Sequence, residues 1–135
     1  MVHLIKLAVG CDGIDALKAF QAARLAAHGH VFHLTRSVPK RAEELTDGGS
    51  IYWIVKGNIL ARQRVLEVQS VQDDEGKPRC CLILAPEVVE VEARAAKPFQ
   101  GWRYLEPESA PRDRRPGETE PPPEMAAELR ELGLI

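Results

Sequence analysis

The side chains best suited to chemistry lie within 30 residues, 35–64, and in a shorter cluster at 99–104. The first stretch places six cationic side chains around an adjacent aromatic pair, Tyr52 and Trp53. Guanidinium and ammonium groups bind phosphate, and flat aromatic rings stack on bases. The pattern therefore predicts a nucleic-acid-binding surface. The cations expected to contact phosphate are Arg36, Lys40, Arg41, Lys56, Arg62, Arg64 and Arg103.

Two of these arginines, Arg62 and Arg64, lie two residues apart on an expected strand and so share one face of it. Two guanidinium groups on one face repel each other, which favours an anionic partner or nearby carboxylates such as Glu43 and Glu44. An equally good explanation is a solvated face whose charges keep a small sheet soluble. The sequence leaves both explanations open.

The candidates for base stacking are Tyr52, Trp53 and Trp102. Because Tyr52 and Trp53 are adjacent on an expected strand, we expect one ring to face the core and the other to be exposed. Trp102 and Tyr104 alternate and so share a face. The alternative is that at least two of these four aromatic residues belong to the core.

Signals for catalysis or metal binding are weak in this chain. Four polar side chains could line a pocket: His33, Thr35, Gln63 and Gln100. His33 with Lys40 and a carboxylate could perform acid–base chemistry, but nothing in their spacing requires it. Zinc-ligand spacings, phosphate-binding loops and dinucleotide fingerprints do not occur in the sequence. We therefore expect no metal, no cofactor and no catalytic residue, and we favour a binding domain over an enzyme.

Charge and cysteine content limit the class of protein further. The formal net charge of −2 at pH 7 excludes a global polycation. Residues 1–105 carry 14 Lys/Arg and 12 Asp/Glu, whereas residues 106–135 carry 4 and 8, so the tail is acidic. Three cysteines, two of them adjacent, make a poor disulfide framework. With no signal peptide and no apolar run near the roughly 20 residues of a membrane span, the sequence predicts a reduced, cytoplasmic protein without membrane contact.

The elements that must position these residues follow from hydrophobic periodicity and turn residues. One helix is expected at 14–27, a short helical turn at 41–45, and strands at 2–9, 31–36, 51–55, 59–68 and 79–84, with a further candidate strand at 86–92. Five or six strands with one main helix after the first strand predict a small α+β domain. Its sheet would be mostly antiparallel, either curled or a half-open barrel.

The composition changes at Glu106. Six of the ten prolines fall in residues 107–123, which is typical of a linker or mobile arm. Residues 124–132 place Met125, Leu129 and Leu132 on one stripe of a short helix. We therefore predict a domain at 1–105, a proline-rich arm at 106–123 and a short C-terminal helix at 124–135.

Three blocks of the sequence resemble a known family: VHLIKLAVGCD, TRSVPKRAEELTDGGSIYWIVKGNILARQRVLEV and FQGWRYLEPESAP. They resemble an uncharacterised alphaproteobacterial family, the domain of unknown function 1489 family, over nearly the whole chain, which implies no activity. Residues 47–71 more distantly resemble the central hairpin of the PUA-like superfamily, which includes PUA, ASCH and EVE domains. That resemblance implies a small β-barrel that binds RNA or modified bases. The Lys and Glu pair typical of ASCH domains has no counterpart here, so no active site is carried over.

Three functions follow as hypotheses. The first is a PUA-like domain that binds RNA or a modified nucleotide. The second is an enzyme acting on a nucleotide or another small anionic substrate. The third is a protein-interaction module, with a homodimer formed through the C-terminal arm.

Overall fold

The computed structural model describes residues 1–114 of the 135-residue chain. The predicted helix at 124–135 and the arm beyond residue 114 lie outside the described residues. The elements in chain order are β1 (His3–Leu7), α1 (Ile14–His28), β2 (Val31–Thr35), α2 (Ala42–Thr46), β3 (Ser50–Val55), β4 (Asn58–Gln72), β5 (Pro78–Leu84), β6 (Val89–Ala95), β7 (Trp102–Leu105) and a 3₁₀ turn (Pro107–Ser109).

The strands of this part of the chain form one sheet in the order β2-β5-β4-β3-β1-β7, with β6 pairing to β4. The β1–β3 pairing is parallel, and the other pairings are antiparallel. The predicted α+β fold, with a mostly antiparallel sheet and a main helix after the first strand, is confirmed. The sheet has seven strands rather than five or six, because the aromatic cluster near residue 102 contributes β7.

Strand β4 is 15 residues long and belongs to three ladders. Its first half pairs with β3 and β6, and its second half pairs with β5. The register shifts in all three pairings, between Trp53 and Ile54, between Ile59 and Ala61, and between Val65 and Glu67. Irregularities of this kind bend a strand and increase its twist. The sheet therefore curls along β4.

Curling brings the two outer strands of the sheet near each other. The indole Nε1 of Trp102 on β7 donates to the carbonyl of Ser37, just after β2, at 3.2 Å. The backbone N–H of Arg41 donates to Tyr104 Oη at 3.1 Å. Within the described residues β2 and β7 share no ladder, so the sheet remains open along the line between them. We call this line the seam.

Strand β3 is buried on both faces, since all six of its residues are buried. The concave face of the sheet, with Trp53, packs into the main core, which also contains Leu17 of α1. The convex face, with Tyr52, packs against residues from β6 and from the chain after β7. The expectation that one ring of the Tyr52–Trp53 pair would be exposed is therefore wrong, since they are 4% and 2% exposed.

The first residues of the acidic tail pack against the domain. Asp113 forms an isolated antiparallel bridge with Val91 of β6. The backbone N–H of Glu92 donates to the Arg112 carbonyl at 2.9 Å, and that of Arg114 donates to the Glu90 carbonyl at 3.0 Å. Residues 112–114 thus lie along the outer side of β6.

Substitution of Gly49, the residue before β3, tests how closely the backbone packs at this point of the fold. A Cβ atom there would lie 2.2 Å from the Val2 carbonyl oxygen and 2.3 Å from the Leu45 carbonyl oxygen. Both contacts are with backbone, so Gly49→Ala must displace β1 or α2 and should lower the free energy of unfolding by more than about 3 kcal/mol. Gly13→Ala, where a Cβ meets nothing within 4 Å, is the control. Urea denaturation curves that coincide for the two variants would contradict the packing described.

Candidate nucleic-acid interface

A cleft of about 850 Å³ lies at the seam. Ligand pockets in proteins commonly measure about 300–1,000 Å³, so the cleft can hold a nucleotide. We call it the seam cleft. Its walls come from the end of β1, the end of β2, the β4–β5 hairpin and the loop before β7, and they comprise Lys6, Leu7, Val9, residues 34–37, Asp73, Arg79 and residues 99–102.

The register of the sheet places Lys6 at the centre of an aromatic row. Lys6 on β1 is paired with Trp102 of β7 on one side and with Trp53 of β3 on the other. Residues paired across neighbouring strands point to the same face of a sheet. The three side chains therefore share the concave face. Trp102 lines the seam cleft with Lys6, and Trp53 lies in the core beside it.

The charge of the seam cleft is positive. Arg79 and Asp73 form an ion pair at 3.1 Å and neutralise each other. Lys6 and Arg36 make no ion pair or side-chain hydrogen bond to any of the residues that the structure describes. Lys6 is half-buried, and burial lowers its pKa. Two cations without carboxylate partners thus face the cleft.

The aromatic walls of the cleft are held in fixed orientations. Trp102 contacts Tyr104 edge to face, with ring centroids 5.0 Å apart, and its indole N–H is bound to Ser37. The Arg103 guanidinium lies over the Phe99 ring, 4.3 Å from its centroid. Both cleft rings, Phe99 and Trp102, are partly exposed. Rigid, partly exposed rings are suited to stacking because ordering them costs no further side-chain entropy.

A buried amide lies deeper on the same concave face. Gln63 is 0% exposed. Its Oε1 accepts hydrogen bonds from Gln21 Nε2 at 2.8 Å and from Trp53 Nε1 at 3.0 Å, and its Nε2 donates to the Ala85 carbonyl at 3.1 Å. This amide therefore joins α1, β3, β4 and the chain after β5, and it fixes the Trp53 ring beside Lys6.

His33 on β2 lies on the concave face beside Trp53 and does not line the seam cleft. Its ring meets Trp53 edge to face, with centroids 5.2 Å apart. Its Nε2 atom is buried and has no hydrogen-bond partner among residues 1–114. Burial lowers the pKa of His33 to about 4, and the charges of Lys6 and Arg24 act in the same direction. The imidazole is therefore neutral at physiological pH.

The predicted site residues divide into separate groups. The seam cleft brings together Thr35, Arg36, Gln100 and Trp102. His33 and Gln63 lie on the concave face beneath it, and Arg103 covers Phe99. Arg41, Arg62, Tyr52 and Trp53 do not line it, nor do Lys40, Lys56 and Arg64.

Two of the predicted phosphate contacts already have carboxylate partners. Arg41 is bound to Glu44 at 2.6 Å and to Glu106 at 2.7 Å. Arg62 donates hydrogen bonds from Nε and Nη2 to the Asp113 carboxylate, each at 2.7 Å, and its Nη1 donates to Ser50 Oγ at 3.0 Å.

Arg62 lies in a second, smaller cavity of about 380 Å³, beside His3 and Tyr52. His3 Nδ1 accepts the backbone N–H of Ser50 at 3.0 Å, which leaves its proton on Nε2. Burial, followed by the Arg62 charge, lowers the pKa of His3. Asp113 already binds the Arg62 guanidinium in this cavity, and an external anion would have to displace it. The smaller cavity is therefore less available to an anion than the seam cleft.

Sequence reasoning missed Lys6, Arg79 and Phe99 as members of the site. Phe99 belongs to the aromatic cluster whose other members were chosen. Lys6 is the one charged residue in the apolar run of residues 2–9, and a charge within a buried strand is itself a signal of function. Nothing in the sequence around Arg79 indicates that it belongs to the site, because its position depends on how the β4–β5 hairpin bends towards the seam.

Neither metal ligands nor membrane helices are evident in the described part of the chain. No group of three His, Cys, Asp or Glu side chains there could hold a metal ion. Within residues 1–114 no helix is both long enough and apolar enough to cross a membrane.

Comparison with known proteins identifies the family of this chain but assigns it no activity. The family described as "protein of unknown function (DUF1489)" matches residues 4–135. Searches of curated proteins and of solved structures give no match.

The neutral state of His33 predicts how stability depends on pH. The unfolded chain binds a proton at His33 below about pH 6.5, whereas the folded chain does so only near pH 4. The stability due to the neutral ring is therefore lost as the pH falls through this window. Between pH 7.5 and pH 4.5, the wild type should lose about 2.5 kcal/mol more than His33→Phe, which keeps a ring against Trp53.

Urea denaturation at a series of pH values measures this difference. His3 and the carboxylates titrate in both proteins and cancel in the comparison. Parallel curves of stability against pH for the wild type and His33→Phe would show that His33 is not held neutral.

Proposed function

The chain belongs to the DUF1489 family, whose description assigns no activity, and from the geometry of the seam cleft we propose that it binds RNA or a modified nucleotide. The observation that carries this proposal is the meeting of two cations and two partly exposed rings, Phe99 and Trp102, in one nucleotide-sized cleft. The cations, Lys6 and Arg36, have no ion-pair partner among residues 1–114. Cations attract phosphate and rings stack on bases, so the combination suits a nucleotide chain.

The unequal pairing of the cations defines which of them contact phosphate. A guanidinium that is already paired with a carboxylate must break that contact before it binds phosphate. Arg41 and Arg62 therefore contribute little to phosphate binding. Lys6 and Arg36 have no such competitor among the described residues. We therefore assign phosphate contact to Lys6 and Arg36. Arg79 lines the cleft but is paired with Asp73, and Arg103 lies over the Phe99 ring.

The curled, open sheet supports the same proposal. The resemblance of residues 47–71 to the PUA-like hairpin implies a small β-barrel. The mostly antiparallel sheet curled along β4 supports this, and among the described residues it stays open between β2 and β7. We propose a PUA-like domain on this basis.

An enzyme acting on a small anionic substrate is the second candidate, because Lys6 lines the cleft and its charge acts on the His33 imidazole nearby. General bases work best when their pKa lies near the working pH. The pKa of His33, about 4, makes it a weak base at neutral pH. Binding is therefore the better supported function. The third candidate, a protein-interaction module or homodimer through the C-terminal arm, depends on residues outside the described part of the chain.

Fluorescence anisotropy with a labelled single-stranded RNA tests the proposal. The wild type should bind at low salt and weaken as salt rises from 50 to 200 mM. Lys6→Met/Arg36→Ala should weaken binding at least about tenfold, and its plot of log affinity against log salt should be shallower by about 1.4. The reason is the loss of two phosphate contacts.

The control removes two cations away from the cleft, Lys18→Ala/Arg64→Ala, and so has the same net charge as the test variant. It should bind RNA nearly as the wild type does. Equal weakening in both double variants would show a diffuse charge effect, and no binding at 50 mM salt would refute the proposed function.

A further inference from the structure

The smaller cavity, of about 380 Å³, is bordered by hydrogen-bond donors of the sheet. Arg62, His3, Ser50 and Tyr52 line it on one side and residues 110–113 on the other, and we call it the Arg62 cavity. His3, Ser50 and Tyr52 are 7%, 1% and 4% exposed. Because His3 Nδ1 accepts a backbone N–H, its Nε2 carries the proton, and the Ser50 and Tyr52 hydroxyls also donate. The cavity is therefore suited to an anion.

The chain places one of its own anions in this cavity. Residues 112–114 lie beside β6, with Asp113 bridged to Val91. Both carboxylate oxygens of Asp113 accept hydrogen bonds from Arg62, from Nε and Nη2, at 2.7 Å each. The Asp113 side chain is nevertheless 46% exposed, and ion pairs exposed to this degree stabilise a fold only weakly. An external anion can therefore displace this carboxylate without unfolding the sheet.

Asp113 leaves two donors of the Arg62 cavity unused. Tyr52 Oη and His3 Nε2 make no hydrogen bond to any residue in the part of the chain that the structure describes. Their rings meet edge to face, with centroids 5.0 Å apart, so the two donors belong to neighbouring side chains. Hydroxyl groups of buried tyrosines usually have a hydrogen-bond partner. A carboxylate offers two oxygens, and Arg62 takes both of them, so a better ligand would bring a third.

A phosphate monoester has the oxygens and the charge that this cavity can use. It carries three terminal oxygens and about 1.5 to 2 negative charges near neutral pH, against two oxygens and one charge for a carboxylate. Two of its oxygens fit the Arg62 fork in the place of Asp113, since guanidinium binds phosphate and carboxylate in the same bidentate manner. The third is left for Tyr52 and His3.

We propose that the Arg62 cavity is a binding site for a phosphate monoester group, and that Asp113 is its intramolecular competitor. The site is separate from the seam cleft, and the proposal does not rest on RNA binding there. Displacement of Asp113 by the ligand would also release residues 112–114 from Arg62.

Calorimetric titration of the full chain with inorganic phosphate at pH 7.5 tests the proposal. Asp113→Asn keeps the shape of the side chain and removes its charge, so this variant should bind phosphate at least about tenfold more tightly than the wild type. Asp15→Asn removes an exposed carboxylate of α1 and is the matched control, which should bind phosphate as the wild type does. Asp113→Ser removes the same competitor, so the result does not depend on the folding of one variant.

Three further changes, each added to Asp113→Asn, locate the phosphate. Arg62→Lys keeps the charge but loses the fork, and should weaken phosphate binding at least about tenfold. Tyr52→Phe keeps the buried ring, and should weaken phosphate binding severalfold while leaving the binding of acetate, which has two oxygens, unchanged. Lys6→Met/Arg36→Ala should have no effect, because these cations line the seam cleft.

The source of the phosphate group is distinguished by two further probes, uridine 5′-monophosphate and O-phosphoserine. Both should bind Asp113→Asn, and the tighter of the two identifies the class of molecule that carries the group. Equal phosphate affinity of the wild type and Asp113→Asn, or unchanged affinity after Arg62→Lys, would overturn the proposal. Equal effects of Tyr52→Phe on phosphate and acetate would overturn the preference for phosphate. None of these results would alter the prediction of RNA binding at the seam cleft.

Discussion

Strand β4 belongs to three hydrogen-bonded ladders, and this constraint determines most of the architecture. Because its first half pairs with β3 and β6 and its second half with β5, the sheet must bend where the ladders change. The register shifts absorb the bend. Bending turns β2 towards β7, although they are the outer strands of the sheet. The seam cleft exists because these two edges approach each other without pairing.

The concave face inside the bend is not uniformly apolar, and its polar members are held in different ways. The Gln63 amide is satisfied from three directions, so it stabilises the packing of α1 and Trp53. The His33 Nε2 and Gln21 Oε1 atoms are buried and have no hydrogen-bond partner within residues 1–114. A buried polar atom without a hydrogen bond costs free energy. Lys6 is only half-buried, and it lines the seam cleft without an ion-pair partner in the same residues.

The cations of this protein illustrate why composition alone does not locate a binding surface. Arg41 and Arg62 belong to the richest basic stretch, yet carboxylates neutralise both of them. Asp113, the partner of Arg62, lies 51 residues away in sequence. Two guanidinium groups on one strand were expected to need an anion or nearby carboxylates, and for Arg62 the carboxylate comes from the acidic tail.

Local pattern was sufficient to predict most elements of the fold, although not β7. Alternating apolar residues and the turn residues gave most of the strands, and helical spacing gave α1. The burial of both Tyr52 and Trp53 could not be predicted in this way, because the convex face of β3 is covered by residues far along the chain. The same holds for the seam cleft, since Lys6 and Trp102 come from opposite ends of the described chain. Their proximity follows from sheet order, which periodicity does not determine.

Chemical-shift mapping with isotopically labelled protein and a short single-stranded RNA tests the central claim most directly, because it reports the location of binding and not only its strength. If the seam cleft is the site, amide resonances of residues 34–37 and 99–102 and the indole resonance of Trp102 will shift together, saturably and with one affinity. Shifts confined to the surface around Arg62 and Arg64, or spread evenly over the basic residues, would contradict the account and place any nucleic-acid contact elsewhere on the protein.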